Sequence, residues 1–518
     1  MPFPEGMQEE INRKPHLLAM MLISIVVISL GLRLLHVDFG LPDFLHVDEI
    51  GPIRSTQHML QGNAEMLNYN HPPLLKNLAF AGLKIYLAFQ AKSLASDQEV
   101  VLALRLFSVM SGVVTVIFLY LLALHFVDRR LALLAALLFA VLPLTVVTSK
   151  YGVPDMLLGS LFLVGLWLSV KLYERPTPIL YGATGVVLVL AFGAKYPGCF
   201  LALPALLAHV MAHRRSVQAE QSVPAGKAAL FFALGAFIGT CISFPLVFYD
   251  LPSIIKGFFA EVHHVMVAGH EGIKVSGRDM FFLYHFRYSV LPATGPILFA
   301  FIPAGLAIMA LRRQPKDLLV MAIILPYYFT VEWAYLVLPS PDRYILPLVG
   351  PYLLAATIAL QRLVNLVPSK RLLLPVAIAL TGILSIWPIY KTATILHHMV
   401  PDTRQVMQEW MEKSLDKNTI IFIERHTPTY YAGQNGLSFP FVFYSPDISS
   451  FTLLDYRGGY FLTSSFTYDR YLRHPDQRPD ATFFYKTLFS RGILLHEVSS
   501  PGRQYLFHNP TLRLYRIP

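Results

Sequence analysis

Asp48 and Glu49 are adjacent carboxylates flanked by apolar residues, in Phe44-Leu45-His46-Val47-Asp48-Glu49-Ile50. A charge costs about 2.5–3.5 kcal/mol at a bilayer centre, so acids beside a membrane segment favour a wet cavity or a charged partner. A carboxylate half-desolvated at such a surface is expected to titrate above its ordinary range, which suits a general base. A solvated juxtamembrane loop is the plain alternative. Downstream, Asn70-His71-Pro72-Pro73-Leu74-Leu75-Lys76 starts a helix at its two prolines. The positive end of that helix, with His71 ahead of it and Lys76 one turn in, is a seat for phosphate. Arg105, in Leu104-Arg105-Leu106-Phe107-Ser108, needs an anion, a carbonyl or water, unless it snorkels to the interface. Asp155 follows Lys150-Tyr151-Gly152-Val153-Pro154, where a helix-start charge is equally expected. Lys195 lies in a tight Gly-Ala-Lys-Tyr-Pro-Gly turn and Arg343 in Pro341-Asp342-Arg343-Tyr344, and either is also a fit for an interfacial anchor. Glu261, His263, His264, His270 and Glu271 offer imidazole and carboxylate to a divalent metal, although their spacing matches no zinc signature.

The elements that must position these groups are membrane helices. Of 518 residues, 55% are hydrophobic and 14% charged, and the mean hydropathy is +0.52. A soluble domain runs near 45–50% apolar and about 25% charged, so an ordinary soluble enzyme is excluded. Two cysteines, Cys199 and Cys241, exclude a disulfide scaffold and a cysteine-rich zinc site. Apolar stretches long enough to cross about 30 Å of hydrocarbon fall near 16–36, 99–125, 131–148, 154–173, 178–194, 197–213, 227–249, 292–311, 317–338, 343–364 and 372–391. The stretch 73–90 carries Lys76, Asn77 and Lys84 and reads as an interfacial or re-entrant helix. With the N-terminus in the cytoplasm, the inside connections hold 15 Lys or Arg and the short outside ones only Lys150, Lys195 and Arg343. That asymmetry orients the bundle and explains the +10 charge without any nucleic-acid partner. The expected organisation is a transmembrane domain, 1–391, with large outside loops at 37–98 and 250–291. A small α/β domain at 392–518 then lies outside the membrane, with strands at 419–424, 439–444, 459–463, 492–497 and 511–517. Asp402 and Thr403 are placed to cap a helix through Trp410, and Asp480 to open another. Asp48, Glu49, His71, Arg105, Asp155, Lys195 and Arg343 all fall at one membrane face, which argues for an anionic, membrane-embedded substrate met from outside.

An Asp-Glu pair in the first outside loop, then His71-Pro72-Pro73-Leu74-x-Lys76, then Arg105 in the second span, resembles the protein O-mannosyltransferases. Asp342-Arg343-Tyr344-Ile345-Leu346-Pro347 is similar to a segment of the wider set that includes the lipid A aminoarabinose transferases. The latter carry Glu-Lys before the two prolines where this chain has Asn70-His71, which tilts the resemblance toward the mannosyltransferase branch. It covers roughly residues 16–390 and implies a GT-C glycosyltransferase taking a mannose-like hexose from a polyprenyl or dolichyl phosphate. The implied roles are Asp48 as base and Glu49 near the acceptor, and a single displacement with one carboxylate would invert the anomeric centre. Residue chemistry adds Asp155 to orient a hydroxyl, and Arg105, Lys195, Arg343, His71 and Lys76 to meet the phosphate. Cations in that role make a metal dispensable, so no cofactor is expected, with a divalent metal as the alternative. The acceptor is open among protein, glycolipid and glycan. A transporter or flippase of a lipid-linked sugar, or a lipid A-modifying transferase, stands as the competing reading. The sequence has no Asn-x-Ser/Thr with a non-proline x, which favours a prokaryotic inner membrane over an ER-luminal setting.

Overall fold

The computed structural model describes residues 15–43, 45–63, 69–218, 223–269, 282–335, 342–367, 370–428, 442–444, 457–473, 475–476, 478–500 and 508–518. Its helices in chain order are α1 (Pro15–Leu34), α2 (Ile50–Leu60), α3 (Leu74–Gln90), α4 (Asp97–Ala123), α5 (Arg129–Val141), α6 (Pro143–Thr148), α7 (Asp155–Glu174) and α8 (Pro178–Ala194). They continue as α9 (Ala202–Gln218), α10 (Ala225–Ser243), α11 (Leu251–His263), α12 (Leu291–Arg312), α13 (Pro315–Tyr335), α14 (Leu346–Val364) and α15 (Lys370–His397).

Nine helices among the described residues are long and apolar enough to cross a membrane. Two of the eleven expected spans depart from that length. The stretch 131–148 is broken where Leu142 turns extended and Pro143 restarts the chain as α6, because proline removes an amide and clashes with the preceding turn. The stretch 178–194 is a 17-residue apolar helix, α8. The expected helix over 73–90 is α3, which buries Leu75, Ala79, Leu83 and Leu87 and exposes Ile85 and Phe89.

One continuous apolar core runs through the bundle. The span containing α14 is its central post, 89% buried, whereas those of α1 and α10 are 17% buried and present apolar side chains outward. Where helices touch most closely the contact residues are small: a side chain on Gly235 of α10 would collide with the Gly182 backbone of α8. Membrane helices pack this way because small residues let backbones approach.

Beyond α15 the chain turns polar and forms a mixed sheet. The strands are β1 (Ile420–Ile423), β2 (Val442–Tyr444), β3 (Tyr460–Ser464), β4 (Ile493–Val498) and β5 (Leu512–Arg516), in the order β2-β1-β3-β5-β4. The three strands β2, β1 and β3 run parallel, while β5 is antiparallel to both its neighbours. All five overlap the segments expected to be short strands. Asp402 caps α16 (Thr403–Ser414) through a capping box with Gln405. Two more helices, α17 (Ser465–Arg473) and α18 (Pro479–Arg491), pack against the sheet, with Phe484, Tyr485 and Leu488 of α18 in its core.

Candidate active site

After α1 the chain loops outside the bundle and makes one tight turn, a 3-10 helix over Val47–Glu49, entered through His46, whose Nδ1 accepts from the Asp48 amide at 3.3 Å. Three residues complete a 3-10 turn, so neighbours project about 120° apart. The adjacent carboxylates therefore face different surroundings.

Glu49 turns inward. It receives Arg105 Nε on Oε1 at 2.8 Å and Nη2 on Oε2 at 2.7 Å, and the Gly152 amide at 2.6 Å. Both side chains of the pair are 0% exposed. Arg105 Nη1 donates to the carbonyls of Val37 and Phe39, and the guanidinium lies 4.1 Å from the Phe39 ring centroid. Gly152 is required for this contact, since a Cβ there would stand 2.8 Å from Leu104 and 3.3 Å from the Glu49 carboxylate. Two expectations change here. Arg105 has its charge matched and all three guanidinium nitrogens engaged inside the protein, so it presents no donor to a phosphate. Glu49 is sealed beneath it and does not face an acceptor.

Asp48 turns outward and heads a chain of alternating charges. Arg343, in the 3-10 turn Asp342–Ile345 leading into α14, reaches Asp48 Oδ2 with Nη1 at 2.7 Å and Asp155 Oδ2 with Nε at 3.6 Å. Asp155, in the first turn of α7, receives Lys195 Nζ at 2.8 Å. Lys195 follows α8 directly and its ammonium lies 4.5 Å from the Tyr344 ring centroid. Side-chain exposure is 37% for Asp48, 11% for Arg343, 4% for Asp155 and 19% for Lys195, so Asp48 is the open carboxylate. Burial alone would raise the Asp48 carboxyl, but the Arg343 guanidinium outweighs it and holds the group well below the usual carboxylate range. This reverses the direction expected from its position at the membrane surface. Burial likewise disfavours the Lys195 ammonium, and the Asp155 carboxylate overcomes it, so Lys195 stays charged.

Lys195 and His71 line a groove of about 200 Å³ whose walls are mostly apolar, built from Phe200, Phe258, Val265 and Val331 among others. Lys76 is 4% exposed and bonds the His71 carbonyl at 3.0 Å. It therefore braces the start of α3, which begins where the prolines indicated, and does not line the groove. Glu261 of α11 does line it. His263 and His264 close that helix, while His270 and Glu271 lie outside the described residues. Among the described residues no group of three or more His, Cys, Asp or Glu is gathered to hold a metal ion. Tyr344, absent from the expected set, proves to be a wall of the site, and its place beside Arg343 in the motif was the available signal. Lys150, a short-loop cation in sequence, is fully buried on the carbonyls of Leu32 and Arg33 at the end of α1.

Comparison with solved structures identifies the architecture. ArnT from Cupriavidus metallidurans, in its crystal structure bound to undecaprenyl phosphate, superposes over 96% of this chain and 97% of its own, with 15% identity and a TM-score of 0.52. The fold is GT-C. The Archaeoglobus fulgidus oligosaccharyltransferase in its apo form is similar over 96% of this chain and 74% of its own, at 15% identity and a TM-score of 0.55. AglB from the same organism, in complex with an inhibitory peptide and a dolichol-phosphate, gives 14% identity and a TM-score of 0.54 over 94% of this chain and 74% of its own. A family model described as dolichyl-phosphate-mannose-protein mannosyltransferase matches residues 84–239. That range holds Arg105, Asp155 and Lys195, whereas Asp48 and Arg343 fall outside it. No curated protein sequence matches the chain.

Proposed function

We propose that this chain is an integral-membrane glycosyltransferase that moves a hexose, mannose-like by the matched family, from a polyprenyl or dolichyl phosphate to a hydroxyl on a protein, glycolipid or glycan. The observation that carries the reading is a half-exposed carboxylate, Asp48, joined through Arg343 and Asp155 to Lys195, which lines a mostly apolar groove. The groove takes the lipid tail, and Lys195, Arg343 and His71 meet the phosphate. Asp155 holds both cations in place and orients a hydroxyl of the donor or acceptor. The acceptor oxygen attacks the anomeric carbon as its proton passes to Asp48. The bond from that carbon to the phosphate oxygen breaks, its electron pair stays on the phosphate, and the anomeric centre inverts. Cations fixed where that charge returns lower the barrier electrostatically without a metal.

A carboxylate held down by Arg343 is a weak base, and the donor itself relieves this. A phosphate arriving at the guanidinium competes with Asp48 for it, so the base strengthens only once donor is bound. Glu49 and Arg105 serve as the clasp beneath the base. The reaction takes place on the extracytoplasmic side of a prokaryotic inner membrane, with the N-terminus cytoplasmic and the C-terminal domain outside.

The test is transfer of label from mannosyl-phosphoryl-polyprenol in reconstituted vesicles. Asp48→Asn is expected to lower turnover by about 10²–10⁴-fold, the usual contribution of a general base, while polyprenyl phosphate binding is retained. Wild-type turnover in Asp48→Asn refutes the assignment, and label that crosses the bilayer without changing its covalent partner favours a flippase.

A further inference from the structure

Among the described residues, the loop between α1 and α2 has only the three-residue turn at 47–49 as regular structure, so the aim of Asp48 depends on what grips that loop. From below, the Glu49–Arg105–Gly152 clasp does so. From above, the contacts come from the C-terminal domain. Arg404, in the first turn of α16, is 1% exposed and holds Asp402 with Nε and Nη2 at 2.7 and 2.8 Å, while its Nη1 donates to the Leu45 carbonyl at 2.6 Å. His508, 1% exposed just before β5, lies ring to ring with Phe39 at 4.6 Å and Tyr151 at 5.2 Å. Tyr151 in turn lies 4.1 Å from the His46 ring, and His46 accepts the Asp48 amide. An unbroken series of contacts thus runs from the C-terminal domain to the base.

The two contacts belong to one rigid piece. Asn509 donates its amide to Asp402 at 3.0 Å, accepts from the Thr403 amide at 2.9 Å and reaches the His398 carbonyl with its side chain at 2.6 Å. Neither ring nitrogen of His508 has a hydrogen-bond partner among the described residues, so the imidazole acts as an aromatic plate.

We infer that the C-terminal domain is a positioning element of the active site, with Arg404 and His508 clamping the 46–49 turn against Arg105 and Gly152. This rests on reading Asp48 as the base. A general base must stand within about 2.6–3.2 Å of the proton it takes, and a displacement near 1 Å can cost roughly 10²-fold in rate. A domain that only recruited acceptor would instead act on the acceptor KM.

The experiment uses the full chain in lipid nanodiscs with His508→Ala, His508→Phe, His508→Asn and Arg404→Lys. It reads kcat, the donor and acceptor KM, and amide hydrogen exchange over 45–50. His508→Ala is expected to lower kcat by about 10–100-fold, leave both KM values within about twofold, and speed exchange at 45–50. His508→Phe, which keeps the plate, restores both readouts, and Arg404→Lys, which keeps charge without the fork, repeats the loss. If His508→Ala loosens the whole domain, His508→Asn against His508→Phe decides: a slow, fast-exchanging Asn variant beside a normal Phe variant supports the clamp. Wild-type kcat and exchange in His508→Ala, a fall in kcat that Phe does not recover, or a change confined to acceptor KM overturns it. A wild-type protein that uses no polyprenyl donor ends the functional reading alone, since exchange at 45–50 still decides the clamp.

Discussion

Replacing Glu49 with Gln, or Arg105 with Met, separates a structural clasp from a phosphate site. Both side chains are 0% exposed and meet through two charge-assisted bonds of 2.8 and 2.7 Å, with the Gly152 amide as a third donor to the carboxylate. Removing one partner of such a pair strands the other charge away from water, which costs about 3–5 kcal/mol. The carboxamide introduced by Glu49→Gln can still accept from the Gly152 amide, so the loss in that variant reports the missing charge. Replacing both partners with apolar or neutral groups of similar volume is often close to neutral. The double variant Glu49→Gln/Arg105→Met is therefore expected to be less destabilised than either single variant, with a coupling energy of about 3 kcal/mol from the lower end of the same range. The assay is reversible denaturation in mixed micelles, followed by donor KM measured at a temperature where all three variants remain folded. In the clasp reading the singles lose stability, the double recovers it, and donor KM stays near wild type. Single variants of wild-type stability, or Arg105→Met with its defect confined to donor binding, would refute the clasp and return Arg105 to the phosphate.

The pH dependence has a sign set by Arg343. The folded Asp48 carboxyl titrates below its unfolded value, so its contribution to stability is present above the ordinary carboxylate range and is lost as pH falls through the folded value. The stability difference between wild type and Asp48→Asn should therefore be level from neutral pH down to about 4, near the ordinary carboxylate value, and shrink only below it. In Arg343→Gln the burial that raises the carboxyl acts without its counterweight, and the acid limb of kcat/KM moves to higher pH; an unmoved limb counts against Asp48 as the base. At the groove, Val331→Trp narrows a wall of the cavity. It is expected to raise KM for long-chain donors while sparing a donor truncated to a few isoprene units, and equal effects on both argue against a lipid tail in this groove.

How much of this was legible beforehand differs between the bundle and the site. Apolar runs must leave water, and their length sets how many can cross, so the helices fall where hydropathy put them. The break at Leu142-Pro143 was carried by a proline inside an apolar run, a local signal outvoted by its neighbours. Beyond α15, short runs of β-branched and aromatic residues between polar stretches located all five strands, while β3, buried along most of its length, and β4, which has no buried residue, show that burial of each strand was set by its neighbours in the sheet.

Charge at one face was legible too, since each ionisable group sat at the same end of a span. Which charge met which was not. Adjacent residues Asp48 and Glu49 are chemically alike, and only the 3-10 turn sends one toward Arg343 and the other toward Arg105, 56 residues away in the chain. Likewise an arginine in an apolar helix reads the same whether it faces a ligand or a buried carboxylate. Composition and spacing record what each segment must escape or seek, and they carry no information about direction. Direction comes from long-range packing, and that alone left Asp48 open, closed Arg105, and brought the far end of the chain down onto the loop that holds the base.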